Sequence, residues 1–396
     1  MLQQTNSTPH TTVSVFLITN FRRMQLLNTH ETLIDNLKRF VDILKTHSES
    51  EEIYRYQDDV FFMLSHNRNE DAVLKSIQDV INDVDFNFEL RTTYITDILE
   101  VDSVDTLFES YKVTTMQLKE ASDTSQIIVT EDIHQELIRR QVIERDLRLL
   151  SVQGFSNQLF VVFQPQIDVD SHEIVGFEAL TRWIHPEYGF IPPPLIFEIA
   201  ENSDYYNALT RWILTQALEF IQKLNREGYS KPIVSINAPN EYVLHPDCIH
   251  NVTTLLEFYK VSPQQLGFEI TESTFDDTID LLKLRVAELN ELGITTYIDD
   301  YGRGYSSMLR LRELDINVLK IDKTFIDDIN KDERFLNSII TMANELGLDI
   351  VAEGAETEHQ VSWLKNKSCN VIQGYYFSKP LNFDDAIDFM KHYPDE

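Results

Sequence analysis

Cysteine is scarce in this 396-residue chain: Cys248 and Cys369 are the only two, and no CxxC spacing exists. That excludes a disulfide framework and a cysteine-based zinc site. With 11 glycines and 12 prolines the chain is neither low-complexity nor fibrous. No run of about 18 uncharged apolar residues occurs, and the opening MLQQTNSTPH lacks a basic-then-apolar leader. These absences lead us to expect a soluble, cytoplasmic protein without membrane insertion. Basic residues are also few, 34 Lys and Arg against 65 Asp and Glu, giving a net charge of −31. A surface of that sign repels DNA and anionic lipid, so neither is an expected partner. An anionic substrate would have to be captured locally, by metal and a few positive groups. None of the 11 histidines has metal-ligand spacing, and His185, beside Pro186, reads as a loop residue.

What is present suits packed cores: 42% hydrophobic residues, with 23 Phe and 16 Tyr. The length favours two domains. Apolar periodicity predicts strands at 13–19, 53–64 (a pair turning near Gln57-Asp58), 88–95 and 127–129. Helices are expected at 32–46, 72–84 and 104–121. We read residues 1–130 as a smaller α/β domain and 131–152, which lacks Pro and Gly, as a helical linker. Residues 153–396 form the second domain.

The second region opens with a predicted hairpin, 160–166 and 174–181, turning at 168–172. Short apolar strands follow at 232–237, 266–271, 294–299, 318–321, 349–352 and 370–373, separated mostly by helical stretches. About eight strands in roughly 235 residues suit a TIM-like (β/α)8 barrel with an initial hairpin. Polar residues recur at the strand ends: Glu178, Asn237, Glu269, Asp299 with Asp300, Lys320, Glu353 and Gln373. A barrel brings those ends to one rim, where active sites are built. Helix capping accounts for one such residue but not for seven strands. The focus is TTYIDDYGRGYSS, residues 295–307, where paired carboxylates precede a loop with Gly302 and Gly304. Adjacent acids repel unless a cation lies between them. All-oxygen donors point to Mg²⁺ or Mn²⁺.

These motifs resemble the EAL-domain phosphodiesterases that hydrolyse cyclic di-GMP, across about 159–390. The name-giving motif stands as Glu178-Ala179-Leu180-Thr181-Arg182. Others stand as Phe163-Gln164-Pro165, Ser235-Ile236-Asn237, Phe268-Glu269-Ile270-Thr271-Glu272-Ser273, Leu319-Lys320-Ile321-Asp322, Val351-Ala352-Glu353-Gly354 and Gln373-Gly374-Tyr375. The resemblance implies two metal ions. Glu178, Asn237, Glu269 and Asp299 would hold one, and Asp299 with Asp300 the second. It implies Glu353 as general base, Lys320 beside the attacking water, and Gln373 near both water and metals. Gln164, Leu180, Arg182 and Asn237 would contact the substrate, and Glu272 would anchor the loop 299–307. For Asp322 and Glu356, structural hydrogen bonding and direct participation are both open. The loop departs from the family's DFGTG in Tyr301 and Arg303. Some members bind cyclic di-GMP without cleaving it after losing a metal ligand or the loop; here the ligand set is complete, which favours the enzyme. A homodimer is expected.

The first domain resembles the GGDEF diguanylate cyclases across about 13–128. Its signature position reads Arg55-Tyr56-Gln57-Asp58-Asp59-Val60-Phe61, so both turn glycines are replaced. Leu17 and Thr19 stand where the family keeps metal-binding aspartates. A degenerate domain kept for regulation or dimerisation is implied. We therefore expect no cyclic di-GMP from GTP and divalent metal in the full chain carrying Glu178→Ala. Detection of that product by chromatography refutes the degenerate reading.

Overall fold

The computed structural model describes residues 11–393 except 22–23, 25–29, 48–52, 58, 67–69, 85–87, 89, 96–125, 130, 156–157, 202, 204, 272–278, 302–310, 312 and 331–332. The expected helix at 104–121, the anchor Glu272 and the loop with Arg303 lie outside the described residues, as does the side chain of Asp300. The chain divides into two compact units, Met1–Ile143 and Glu144–Glu396. Among the described residues no helix is long and apolar enough to cross a membrane.

In the first unit β1 (Thr11–Ile18), α1 (His30–His47), β2 (Ile53–Gln57), β3 (Val60–His66), α2 (Glu70–Asp83) and β4 (Leu90–Ile95) form a split β-α-β arrangement. A further strand, β5 (Gln126–Val129), pairs parallel to β4, giving the sheet order β2-β3-β1-β4-β5. Alternation along β1 puts Phe16 and Ile18 into one core, with Phe40, Leu44, Phe61 and Ile77. Val13, Val15 and Leu17 join Val60 in another. Phe40 packs edge-on against Phe61, centroids 5.1 Å apart, which fixes α1 on the sheet. The helix α3 (Glu131–Val152) follows, and the boundary between units falls within it.

The second unit is a closed eight-stranded barrel. Its strands are β6 (Leu159–Asp168), β7 (Glu173–His185), β9 (Ile233–Asn237), β10 (Leu266–Thr271), β11 (Thr295–Tyr301), β12 (Val318–Ile321), β13 (Asp349–Glu353) and β14 (Val371–Gln373). Strand β6 pairs antiparallel with both β7 and β14 and so closes the ring. All other neighbours in the ring are parallel. The hairpin, barrel and strand-to-helix alternation agree with the sequence reading.

Several strands run past their expected ends, and two of these extensions matter most here. Strand β7 continues through His185 by pairing with a short strand, β8 (Gly189–Ile191). His185 is thus not a loop residue. It is buried at the end of β7, with Nε2 3.0 Å from Asp146 Oδ2 on α3. Strand β11 does not stop at Asp299 but runs on to Tyr301. Its register against β12 shifts between Ile298 and Tyr301, leaving one extra residue on β11. Such a bulge re-aims side chains, so two adjacent acids need not face opposite ways as in regular strand.

Period-two alternation builds the barrel layers. Phe163, Phe177 and Phe268 are fully buried on the side facing the helices, where Phe220 of α5 (Tyr206–Arg226; α4 is Pro193–Ala200) stacks on Phe163 at 3.8 Å. Inside, Tyr297, Val318, Val351 and Val371 fill a layer below the polar strand ends. Gly267 makes room for Tyr297: a Cβ there would lie 2.6 Å from Tyr297 Cε2 and 3.1 Å from Ser235 Cβ. Gly267→Ala should therefore destabilise the protein by about 1–3 kcal/mol through overpacking. Urea unfolding checks this, and an unchanged midpoint contradicts the layer's tight fit.

Candidate active site

Seven strands deliver the expected polar residues to one end: Glu178 on β7, Asn237 on β9, Glu269 on β10, Asp299 on β11, Lys320 on β12, Glu353 on β13 and Gln373 on β14. They converge on Lys320, whose side chain is fully buried. Lys320 Nζ lies 2.6 Å from both Glu269 Oε2 and Glu353 Oε1, 3.2 Å from Asp299 Oδ1 and 3.6 Å from Glu178 Oε2. Amides and a hydroxyl occupy further carboxylate lone pairs. Asn237 Nδ2 donates to Glu178 Oε1 at 3.2 Å, and Gln373 Nε2 donates to Glu178 Oε2 at 2.5 Å. Ser235 Oγ donates to Glu269 Oε1 at 2.5 Å. Gln373 also donates to Gln164 Oε1 and accepts from Gln166 Nε2.

Four carboxylates thus face one ammonium away from water, and the protonation balance shifts accordingly. Burial, then repulsion by Glu178, pushes Glu269 well above the usual carboxylate range against the pull of Lys320. Burial raises Glu353 to about 8, with Asp299 and Glu178 adding to the shift and Lys320 opposing it. For Lys320 itself burial pulls downward, but Asp299, Glu178, Glu269 and Glu353 outweigh it and hold the ammonium charged. Asp299 Oδ1 and Glu353 Oε1 both rest against that ammonium.

The donor set tests whether divalent cations belong here. The groups able to ligate a metal are carboxylate and amide oxygens, and negative charge is in excess of the one ammonium. Among the described residues no three acids are grouped around a common metal position; they gather on Lys320 instead. The residues fit hard cations, and binding them would displace the protons that the raised carboxyl groups retain.

The remaining expected residues climb the wall above this layer. Gln164 sits opposite Glu178 in the β6–β7 register, and its Nε2 donates to Ser378 O at 3.3 Å. Leu180 and Arg182 follow Glu178 at two-residue steps on the same face, both half-buried. Arg182 Nη1 bonds Thr181 O at 2.9 Å. Its burial lowers its pKa, while Glu178 and Tyr375 act in the opposite direction. Asp322 caps α9 (Lys323–Asp327; α6 is Asn240–Val243, α7 Cys248–Tyr259, α8 Ile279–Leu292) by accepting from Thr324 N. Glu356 pairs with Lys323 at 2.9 Å. Two contributors were absent from the expected set, Gln166 and Ser235. Each stands two residues from an expected polar residue on an otherwise apolar strand, and that spacing was the available signal.

A cavity of about 630 Å³ opens at the opposite end, among Gln166, Asp168, Asn317, Asp349 and Asn370. Among the described residues no Lys, Arg or His lines it.

The EAL domain family matches residues 147–380, and the chain belongs to it. It is 33% identical over 270 residues to signaling protein YkoW of Bacillus subtilis, covering 67% of this chain and 32% of that protein. It is 33% identical over 266 residues to cyclic di-GMP phosphodiesterase NbdA of Pseudomonas aeruginosa, covering 65% and 33%. The chain therefore spans about a third of the length of these curated relatives. The solved structure described as PaMucR phosphodiesterase in complex with c-di-GMP superposes with a TM-score of 0.58 at 30% identity, over 62% of this chain and 99% of that one.

Removing the central cation leaves buried acids uncompensated. Lys320→Met should cost about 3–5 kcal/mol in EDTA, and Mn²⁺ should restore part of the loss. Thermal unfolding with and without metal checks both; equal melting of variant and parent contradicts the central role of Lys320.

Proposed function

We propose that this chain hydrolyses cyclic di-GMP to the linear dinucleotide pGpG. The observation that carries the reading is the complete set of strand-end carboxylates gathered on Lys320 in an EAL-family barrel. The names of NbdA and of the PaMucR complex support the substrate.

In this reading Glu178, Asn237, Glu269 and Asp299 hold one Mg²⁺ or Mn²⁺, and Asp299 with Asp300 the second. Two such ions would lower the pKa of a shared water and stabilise the oxygens that enter and leave at phosphorus. The water oxygen bonds to phosphorus, the P–O3′ bond breaks, and the products are a 5′-phosphate and a 3′-hydroxyl. Glu353 takes the water's proton. Its raised pKa would fall once cations offset the neighbouring acids, leaving a base suited to neutral pH. Lys320 balances charge developing on the phosphoryl oxygens, and Gln373 orients the water. Arg182 offers its fork to a phosphate oxygen, while Gln164, Leu180 and Asn237 position the nucleotide. Glu272 anchors the loop that carries Asp300.

We further infer that the first unit is a degenerate GGDEF-like domain used for regulation or dimerisation, joined by α3, and that the protein acts as a cytoplasmic homodimer. The split β-α-β topology with a glycine-free β2–β3 turn supports the domain reading.

Chromatography of cyclic di-GMP incubated with the chain tests the activity. Mg²⁺ or Mn²⁺ should give pGpG, EDTA should abolish it, and Glu178→Ala or Asp299→Ala should remove it from folded protein. Intact substrate with the parent chain, or full activity after metal removal, overturns the reading.

A further inference from the structure

Glu353 occupies the last position of β13, and its two flanks are held unequally. Towards β14 the backbone connection is continuous. Glu353 pairs with Gln373, Ala355 N donates to Gln373 O at 3.3 Å, and Tyr376 N donates to Ala355 O at 3.0 Å. Towards β12 the ladder stops one residue short, at the pair Ile321 and Ala352. The next link on that side is a side chain, Lys323, the first residue of α9.

Lys323 Nζ donates to Gly354 O at 3.4 Å and lies 2.9 Å from Glu356 Oε1 and 3.0 Å from Asp327 Oδ1. Its stem fills the place beside Gly354. A Cβ on Gly354 would fall 2.4 Å from Lys323 Cγ, and Gly354 has a φ of +74°, so glycine is required twice over at this position. The Glu353 carboxylate meets Lys320 on the inner side, Oε1 lying 2.6 Å from Nζ. Its location depends both on that ion pair and on the backbone at Glu353 and Gly354.

We propose that Lys323 is a positioning residue for Glu353, clasping the end of β13 where the β12 ladder no longer reaches. The role rests on the reading of Glu353 as general base. It does not require a large contribution to stability, because the Lys323 side chain is 43% exposed and its ion pairs are screened. A small displacement of a reacting group is nonetheless costly in rate.

The test uses the full chain with Lys323→Met, which keeps a stem and removes the ammonium, Lys323→Arg, and Asp327→Asn, which removes only the outer partner. Hydrolysis of cyclic di-GMP at saturating Mn²⁺ and amide hydrogen exchange are measured for each. Lys323→Met should lower kcat about tenfold or more, with KM and melting temperature unchanged. Exchange should quicken at 354–357 while 318–321 stays protected. Lys323→Arg should recover most of the rate, and Asp327→Asn should match the parent. Parental kcat and exchange in Lys323→Met overturn the proposal. So does a loss confined to KM, which would mark a substrate contact, or a rate loss with lowered melting and general exchange, which would mark a structural role. A parent chain inert towards cyclic di-GMP overturns the functional reading and this role together; an active parent with an unaffected Lys323→Met overturns this role alone.

Discussion

A single buried ammonium organises the barrel interior. Taking a charge out of water is tolerable only where opposite charge and hydrogen bonds surround it, and Lys320 meets that condition through carboxylates from four different strands. Each of those strands must end at the right height for the cluster to close. The apolar layer of Tyr297, Val318, Val351 and Val371 supports it from below. The amides of Asn237 and Gln373 and the hydroxyl of Ser235 bind the outward lone pairs of Glu178 and Glu269. A network of this kind constrains geometry more than it adds stability.

Much of this was legible in sequence because barrel chemistry repeats with the β/α unit. A polar residue at the end of each short apolar strand is a local signal, and Glu178, Asn237, Glu269, Asp299, Lys320, Glu353 and Gln373 all came together as expected. What escaped was non-local. The bulge in β11 exists only in register with β12, and the extension of β7 exists only because three residues of β8 pair with it. His185 beside Pro186 suggested a loop, but Asp146 holds it 39 residues away in sequence. Gln166 and Ser235 were overlooked because strand ends drew attention while alternation within the strands did not.

The acidic composition and the chemistry of the site are parts of one arrangement. With a net charge of −31 the protein as a whole does not attract a phosphodiester. Attraction has to be local, and the two ends of the barrel differ in this respect. One end has Lys320 and Arg182 together with oxygen donors suited to hard cations. The other has a cavity in which, among the described residues, every charged lining residue is an aspartate.

The antiparallel setting of β6 has a consequence for where the chain enters the barrel. In an all-parallel barrel the incoming chain joins the first strand at the floor, far from the reactive mouth. Here β6 is inverted, so its beginning lies beside the finish of β7, with Phe160 paired to Arg182. The polypeptide coming from α3 therefore enters at the mouth itself. Asp146 of the same helix grips His185 at the tip of β7, the strand bearing Glu178. A twist or pull applied to α3 acts on the mouth from two points of purchase, without having to cross the rigid wall of the barrel.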